Sequence, residues 1–151
     1  MDAKQLKKLS DILCSESNTE VVKKVKSIKT EDELFVLLDN YNWDNGFEVP
    51  EAIINHPNCT LPVALLAFYR ADGLRYLFEG EDVFANRLSK SWEYFIKEVY
   101  DKILKEQYPN GSVSFHPEIT KIQKFKLNKL NPNLSSFILD GVSGKDLHIS
   151  L

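Results

Sequence analysis

The sequence predicts an α+β fold, with a helical part over residues 1–110 and a small antiparallel sheet at the C-terminus, over residues 111–151. Three observations lead to this prediction. Apolar residues recur at helical spacing through the first two-thirds of the chain, as in amphipathic helices. The run Tyr108-Pro109-Asn110-Gly111 then stops the pattern, because proline and glycine end helices. Beyond it, short apolar runs alternate with polar residues, as in half-buried strands.

Length and composition predict one domain spanning residues 1–151. A chain of 151 residues has the size of a typical domain. Its 43% hydrophobic and 27% charged residues are typical of a globular protein. The net charge of −3 lacks the basic excess of a dedicated nucleic-acid binder. The two cysteines, Cys14 and Cys59, lack the spacing of a metal site, so we expect neither a metal nor a cofactor.

The N-terminal segment begins Met1-Asp2-Ala3-Lys4 and continues as a charged amphipathic stretch, which differs from the apolar core of a secretory signal. The longest strongly apolar run, residues 61–69, is interrupted by Pro62 and is far shorter than the ~20 residues of a membrane span. We therefore expect a cytoplasmic protein that does not enter a membrane.

The first three predicted helices precede an aromatic turn. Residues 3–14 and 20–28 each carry an apolar stripe at helical spacing. Thr30 and Glu33 have the spacing of a capping box, in which each side chain bonds the backbone amide of the other residue. The apolar run 34–38 that follows predicts a helix buried on most sides.

The aromatic turn, residues 40–50, concentrates three aromatic and two acidic side chains between two predicted helices. Asp44-Asn45-Gly46 predicts a tight turn, because Asn and Gly tolerate positive φ. Pro50 fits the first turn of the next helix, where its missing N–H costs nothing.

Trp43 in this turn has two interpretations. It can face solvent as part of a recognition patch, because Trp and Tyr anchor protein interfaces. Alternatively, its ring covers the ends of the flanking helices and its indole N–H bonds a local acceptor. The usual burial of aromatic side chains favours the second interpretation.

The apolar residues 63–68 predict the most buried helix of the chain. Gly73 is a natural stop for this helix, because glycine adopts the left-handed conformation of a helix cap. The loop that follows is acidic, with Glu79, Glu81 and Asp82.

The longest helix is predicted over about residues 86–107, and we expect the other helices to pack around it. The prediction rests on one apolar stripe at helical spacing. The stripe consists of Leu88, Trp92, Phe95, Ile96, Val99, Ile103 and Leu104.

After Gly111 the pattern predicts two or three antiparallel strands. Residues 137–139 and 147–149 flank a glycine-containing loop and are predicted to form a hairpin. Residues 118–129 fit either a strand or a helix, since apolar residues alternate with lysines only over part of the segment.

No sequence motif identifies a catalytic residue. Asp44, Glu48 and Glu51 lie close in the chain, and paired carboxylates can exchange protons. However, acids at a helix start and beside a turn also have a structural role there. His56 and Cys59 lack a third, orienting group. We therefore predict no enzyme, and the alternative is a small enzyme with a site around Asp44, Glu48 and His56.

A second alternative is a nucleic-acid adaptor that uses the segment Lys121–Lys129. This segment carries four lysines but only one aromatic residue, Phe125. Stacking platforms for bases normally carry several aromatic residues, so a solvated surface is favoured and nucleic acid is not the expected partner.

Residues in and after the aromatic turn carry a resemblance to a known family. The matching residues are Tyr41-Asn42-Trp43-Asp44-Asn45-Gly46-Phe47-Glu48-Val49-Pro50, Ala52-Ile53, Asn55-His56-Pro57-Asn58-Cys59, Ala64-Leu65-Leu66-Ala67-Phe68 and Ala71-Asp72-Gly73. Over about residues 31–78 the chain resembles the bacterial family called domain of unknown function 4274, which has Asp at the position of Asn45. The resemblance implies a small, helical, cytoplasmic bacterial protein and supplies no established catalytic residue.

Chains of this size and composition are also similar to the immunity proteins of bacterial toxin systems. We therefore expect a non-enzymatic protein that binds a protein partner, such as a toxin domain, and occludes it. The predicted partner-binding residues are Trp43, Asp44, Glu48, Glu79, Glu81 and Asp82. Acidic side chains in this set can meet a basic toxin surface.

Overall fold

The computed structural model describes residues 1–151 as an array of helices connected by short loops. The α-helices are α1 (Ala3–Leu13), α2 (Asn18–Val25), α3 (Glu31–Asp39), α4 (Glu48–Ile54), α5 (Leu61–Arg70), α6 (Gly73–Glu79), α7 (Ser91–Leu104), α8 (Lys121–Leu130) and α9 (Ser136–Asp140). Two 3₁₀ segments, Trp43–Asn45 and Gly80–Phe84, lie between them. None of these helices has the length and apolar character needed to cross a membrane.

The predicted C-terminal sheet is absent, so the α+β fold class is wrong and the protein is helical, with 59% of its residues in helices. Only two isolated bridges pair backbone after Gly111, one between Val113 and Lys145 and one between Phe115 and Val142. A stable sheet needs at least three strands that share a buried face.

Two segments predicted as strands, or as strand or helix, form helices because their backbone bonds are local. Thr120 and Gln123 form a capping box that starts α8, which decides residues 118–129 in favour of a helix. Residues 137–139 lie in α9, where the amide of Gly141 donates to the carbonyl of Phe137. The predicted hairpin over residues 137–149 therefore does not form.

α5 is the most buried helix, as predicted, and it is also the central one. Its residues from Pro62 to Phe68 are all buried. It packs against α3 on one side and α7 on the other, while α1 packs on α3 and α2 packs on α4. The expected packing of the other helices around the long helix is wrong, because α7 packs mainly on α5. Burying Leu65, Leu66 and Phe68 alone removes enough apolar surface to contribute several kcal/mol, at about 2 kcal/mol per side chain.

The long helix is shorter than predicted, because α7 begins at Ser91 and ends at Leu104. Asn86 has a φ of 61°, which breaks any helix at that point. Leu88 belongs to the predicted apolar stripe, yet it is fully exposed on the loop 85–90. The rest of the stripe is mostly in the core, from Phe95 through Ile103.

The predicted capping box at Thr30 forms in part. The Thr30 hydroxyl accepts from the Glu33 amide at 3.2 Å, but the Glu33 carboxylate bonds the Lys29 amide and the Thr30 hydroxyl. Lys8 of α1 reaches the same carboxylate at 3.2 Å. Although burial raises the pKa of Glu33, the hydrogen bonds from Lys8, Lys29 and Thr30 together hold it below its ordinary value. Glu33 thus ties α1 to α3.

Residues 111–151, which we call the C-terminal arm, are fastened to the N-terminal end of α3 by side chains of that helix. The Glu31 carboxylate accepts from the Ser112 amide and hydroxyl, both at 2.8 Å, and from the Val113 amide at 3.2 Å. Asp32 pairs with Lys145 at 2.6 Å.

The C-terminal arm is also fastened at the other end of α3. Asp39 pairs with His148 at 3.0 Å. The Asn40 side chain donates to the Ile149 carbonyl at 2.7 Å and accepts from the Leu151 amide at 3.1 Å. The arm therefore lies along α3 and holds both of its ends.

Candidate functional site

The aromatic turn is built from local hydrogen bonds. The Asn42 side chain accepts from the Asp44 amide at 3.0 Å and so starts the 3₁₀ segment. Gly46 closes the turn at a φ of 91°, and its carbonyl accepts from the Tyr41 hydroxyl at 2.8 Å. Pro50 lies in the first turn of α4. The predicted turn and the role of Pro50 are both confirmed.

Trp43 is half-buried and packs edge-on against three other aromatic rings. Its ring centroid lies 5.7 Å from that of Tyr41, 6.2 Å from Phe47 and 5.9 Å from the core residue Phe95. The packing favours the architectural interpretation. The prediction that the indole N–H bonds a local acceptor is wrong, however, because the Trp43 Nε1 is buried and has no acceptor.

A cleft of about 260 Å³ opens beside Trp43, and we call it the tryptophan–arginine cleft. It is lined by Trp43, Phe47, Arg70, Ala71, Asp72, Arg75, Arg87 and Trp92. These residues include both tryptophans and all three arginines of the chain. They come from the aromatic turn, the end of α5, α6, the loop 85–90 and the start of α7.

Two of the arginines pair with carboxylates that lie outside the lining of the cleft. Both Nη groups of Arg70 bond Asp39, one to a carboxylate oxygen at 2.5 Å and one to its backbone carbonyl at 3.2 Å. The Nε of Arg75 lies 2.9 Å from Glu79, one turn along α6. Because only the Nε is engaged, the two Nη groups of Arg75 make no hydrogen bond within the protein.

Arg87 is the arginine without a carboxylate partner. Its Nε donates to the Val83 carbonyl at 3.1 Å, and its guanidinium lies 4.5 Å above the ring of Trp92. Trp92 is itself fixed, because its Nε1 donates to the Ala71 carbonyl at 2.7 Å. The Trp92 ring therefore holds the Arg87 guanidinium in place, and the two Nη groups of Arg87 remain without a protein partner.

A second cleft, of about 570 Å³, adjoins the first and shares Arg75 and Arg87 with it. Glu79 and Asp82 line this second cleft. Three of the six predicted partner-binding residues, Trp43, Glu79 and Asp82, therefore lie around the same two arginines. We call the two clefts together with the exposed loop 85–90 the cleft face.

The other three predicted residues lie outside both clefts. Asp44 and Glu48 are exposed on the aromatic turn and at the start of α4. Glu81 pairs with Lys97 of α7 at 2.6 Å. Sequence reasoning missed the arginines, because Arg70, Arg75 and Arg87 occupy three separate elements and each looks like an ordinary surface charge.

The structure places Glu48 and His56 of the alternative enzyme site at opposite ends of α4. Glu48 is the first residue of α4, and His56 lies two residues beyond its end. The His56 Nδ1 accepts from the Asn58 amide at 3.0 Å, and burial lowers the pKa of His56. The histidine is thus engaged locally at the opposite end of the helix from Glu48.

Glu51, the third acid of that stretch, instead pairs with Glu98 of α7. The Asn55 amide group donates to both carboxylates, at 3.0 Å to Glu51 and 3.1 Å to Glu98. Lys102 donates to Glu98 at 3.1 Å. Burial, followed by the neighbouring Glu98, raises the pKa of Glu51 to about 7. The pair can hold one shared proton and joins α4 to α7.

The segment Lys121–Lys129 forms most of α8, and its side chains face solvent except near Leu127. Phe125 is 60% exposed and is covered by Lys129, whose Nζ lies 4.7 Å from the ring centre. One exposed aromatic ring that already carries a cation offers little surface for stacked bases. The structure shows no cluster of His, Cys, Asp and Glu that could hold a metal ion.

Fold and site together define an all-helical protein whose most distinctive surface is the tryptophan–arginine cleft. The model of the family described as Domain of unknown function (DUF4274) matches residues 29–104, and the chain belongs to this family. The match includes every residue of the cleft and extends beyond the resemblance over residues 31–78 to the end of α7. Neither the curated proteins nor the solved structures contain a match to the chain.

Proposed function

We propose that this chain is a non-enzymatic binding protein of the immunity type, which neutralises a bacterial toxin domain in the cytoplasm by covering it. The observation that carries the proposal is the gathering of both tryptophans and all three arginines in one cleft. Trp and Arg are enriched among the residues that dominate the energy of protein interfaces. Such residues collected at one place favour a protein partner.

The exposed Leu88 also indicates that the cleft face is the contact surface. This leucine lies on the loop 85–90, next to Arg87, and its side chain is fully exposed. Its neighbours Asn86 and Arg87 line the cleft face. A partner that covers the cleft face would bury Leu88, and burying a leucine contributes about 2 kcal/mol.

The acidic residues around the cleft face would meet basic groups of the partner at the edge of the contact. Asp44, Glu48 and Asp82 are exposed and make no salt bridge. Glu79 and Glu81, by contrast, are paired within the protein. Charges at the rim of an interface mainly accelerate association and select the partner.

Co-purification tests the proposal. The tagged chain is expressed with the product of the neighbouring gene, and growth of cells that produce this candidate toxin is measured with and without the chain. We expect capture of the toxin and rescue of growth. A failure to rescue cells from that toxin would contradict the immunity role.

A pair of matched leucine variants tests whether the cleft face makes the contact. Leu88→Glu is expected to weaken capture by roughly tenfold or more, because it places a charge where an apolar contact forms. Leu130→Glu makes the same change at a leucine of α8 that is 62% exposed and distant in the chain, and is expected to leave capture unchanged. Equal capture by both variants would remove the cleft face from the interface.

A further inference from the structure

The charges that line the tryptophan–arginine cleft favour an anion, although the protein as a whole is acidic. Three arginine cations and one carboxylate, Asp72, line the cleft, whereas the chain carries a net charge of −3. Asp39 and Glu79, outside this lining, pair with Arg70 and Arg75, so Arg87 is the cation without a carboxylate partner. The lysines, which supply all the other side-chain cations apart from histidine, are absent from this lining. The only arginines of the chain therefore surround one small volume.

Two of these arginines have Nη groups that make no hydrogen bond within the protein. Arg75 and Arg87 each use Nε for a bond within the protein, to Glu79 and to the Val83 carbonyl respectively. Their Nη groups have no protein partner. A guanidinium anchored in this way presents N–H donors that match the two oxygens of a carboxylate.

The aromatic walls strengthen this electrostatic preference. Trp92 lies beneath Arg87 at 4.5 Å, and Trp43 and Phe47 line the same cleft. These rings displace water from one side of the arginines, so attraction between the arginines and an anion is larger there than for fully solvated charges. The rings also provide contact for the carbon atoms that carry the anionic group.

Size and charge together favour a single carboxylate. The volume of about 260 Å³ is below the 300–1,000 Å³ that is usual for sites that bind drug-sized molecules. Asp72 in the lining repels a ligand more strongly as its negative charge increases, which disfavours a doubly charged phosphate. One acidic side chain, a chain terminus or a small organic acid fits these limits.

We propose that the tryptophan–arginine cleft binds a carboxylate group between Arg75 and Arg87. This inference rests on the proposed binding function and adds the chemistry that the cleft recognises. The carboxylate comes either from an acidic residue or terminus of the protein partner or from a free organic acid.

NMR spectroscopy can observe the cleft selectively, because both tryptophan indole signals and all three arginine Nε signals come from residues that line it. Sodium benzoate is titrated as the probe, with benzamide as its neutral counterpart and sodium phosphate at matched ionic strength. We expect saturable shifts of these signals with benzoate at millimolar concentration and smaller shifts with phosphate. Equal shifts with benzamide, or no saturation with benzoate, would overturn the inference.

Two charge-removing variants complete the test. Arg87→Gln is expected to weaken benzoate binding by roughly tenfold or more, since it removes a charged hydrogen-bond donor. Lys105→Gln removes the same charge from an exposed side chain paired with Asp101 outside the cleft and is expected to bind like the wild type. Circular dichroism of both variants checks that the helices are retained. Equal weakening by the two variants would overturn the inference.

Competition with the captured partner separates the two sources of the carboxylate. If benzoate displaces the partner and Arg87→Gln fails to capture it, the partner supplies the carboxylate. If benzoate binds in the cleft but no partner is captured, the immunity role fails and the cleft takes a free organic acid. If the partner is captured equally by Arg87→Gln and is unaffected by benzoate, the inference fails while the binding function stands.

Discussion

The region matched by the family, residues 29–104, and the C-terminal arm, residues 111–151, differ in how they are held in place. The family region buries continuous apolar faces, above all along α3, α5 and α7. The arm contains two short helices and two isolated bridges, and polar side chains at both ends of α3 hold it. Apolar burial thus holds both regions, but the arm contributes only separated side chains to the core, namely Val113, Phe115, Ile138 and Leu147. Directed hydrogen bonds then fix the arm at both ends of α3.

The cleft and the arm are neighbours on the surface, because Arg70 and Asp72 of the cleft also line a pocket with Phe115, His116 and His148 of the arm. The tryptophan–arginine cleft lies wholly within the family region, on helices fixed by the core. The arm lies along α3, and side chains at both ends of α3 form its polar attachments. Changes in the core are therefore expected to destabilise the whole protein, while changes at the polar attachments should loosen the ends of the arm, whose apolar side chains stay in the core.

The largest effect is expected from the core of the family region. Leu65→Ala removes a fully buried side chain from α5 and should lower the free energy of unfolding by about 3 kcal/mol. Urea denaturation followed by circular dichroism measures this change. Leu130→Ala, at an exposed position of α8, serves as the control and should change stability by less than about 0.5 kcal/mol. Similar losses for the two variants would contradict the assignment of α5 as the central helix.

The second-largest loss of stability is expected at the joint between the two regions. Gly111 has a φ of +72°, and a Cβ there would lie 1.8 Å from the Glu31 carboxylate. Gly111→Ala should therefore cost about 2–3 kcal/mol, from backbone strain plus the disturbed bonds of Glu31. Hydrogen exchange should show loss of protection at the Ser112 and Val113 amides.

Gly80 provides the matched control for this joint, because its φ is +66° but a Cβ there would have no atom within 4 Å. Gly80→Ala should cost only the backbone strain, about 1 kcal/mol. A cost for Gly111→Ala no greater than that for Gly80→Ala would show that Glu31 does not fasten the arm.

The carboxyl pair between α4 and α7 predicts a smaller, pH-dependent effect within the family region. The pKa of Glu51 is raised from its ordinary value of 4.5 to about 7. The folded state therefore favours the protonated form, so this contribution to stability is complete below about pH 4.5 and is lost as the pH rises through about 7. Glu51→Gln should remove this loss and be more stable than the wild type by roughly 1 kcal/mol at about pH 8.

Thermal unfolding between about pH 5 and about pH 8 measures this effect. Glu118→Gln, at an exposed position of the arm, is the control and should keep the pH dependence of the wild type. If Glu51→Gln follows the same pH dependence as the wild type, the pair does not share a proton.

The smallest expected effect distinguishes the two tryptophans of the cleft. Trp92→Phe loses the bond from Nε1 to the Ala71 carbonyl, whereas Trp43→Phe removes a buried N–H that has no acceptor. Both changes shorten the side chain in the same way. Trp43→Phe should therefore cost about 1 kcal/mol less than Trp92→Phe in urea denaturation. An equal cost would show that Trp43 Nε1 has a partner.

The parts of the fold that were predicted correctly depend on contacts close in the chain. The burial of residues 63–68, the turn at Gly46 and the position of Pro50 each follow from neighbouring residues. The prediction of a helix over residues 86–107 is wrong at its start, because Asn86 adopts a positive φ that the apolar spacing does not reveal.

The arm and the cleft depend on contacts that are distant in the chain, so the sequence alone could not specify them. Glu31 bonds Ser112 across 81 residues, and no local pattern indicates that pairing. Residues 137–139 have the apolar character of a strand, yet they lack a neighbouring strand and close a helical turn instead. The capping box at Thr120 was a readable signal for α8 that the alternation with lysines concealed.

The attachments of the arm to α3 cooperate because they lie on one continuous chain. When the pair between Lys145 and Asp32 opens, the bonds at Asn40 keep Lys145 close to its partner, so its effective concentration stays high and the pair closes again quickly. Each contact is individually weak, but the arm leaves α3 only when all of them open together and its buried side chains, such as Val113 and Phe115, leave the core. The arm thus acts as a multivalent ligand of its own protein.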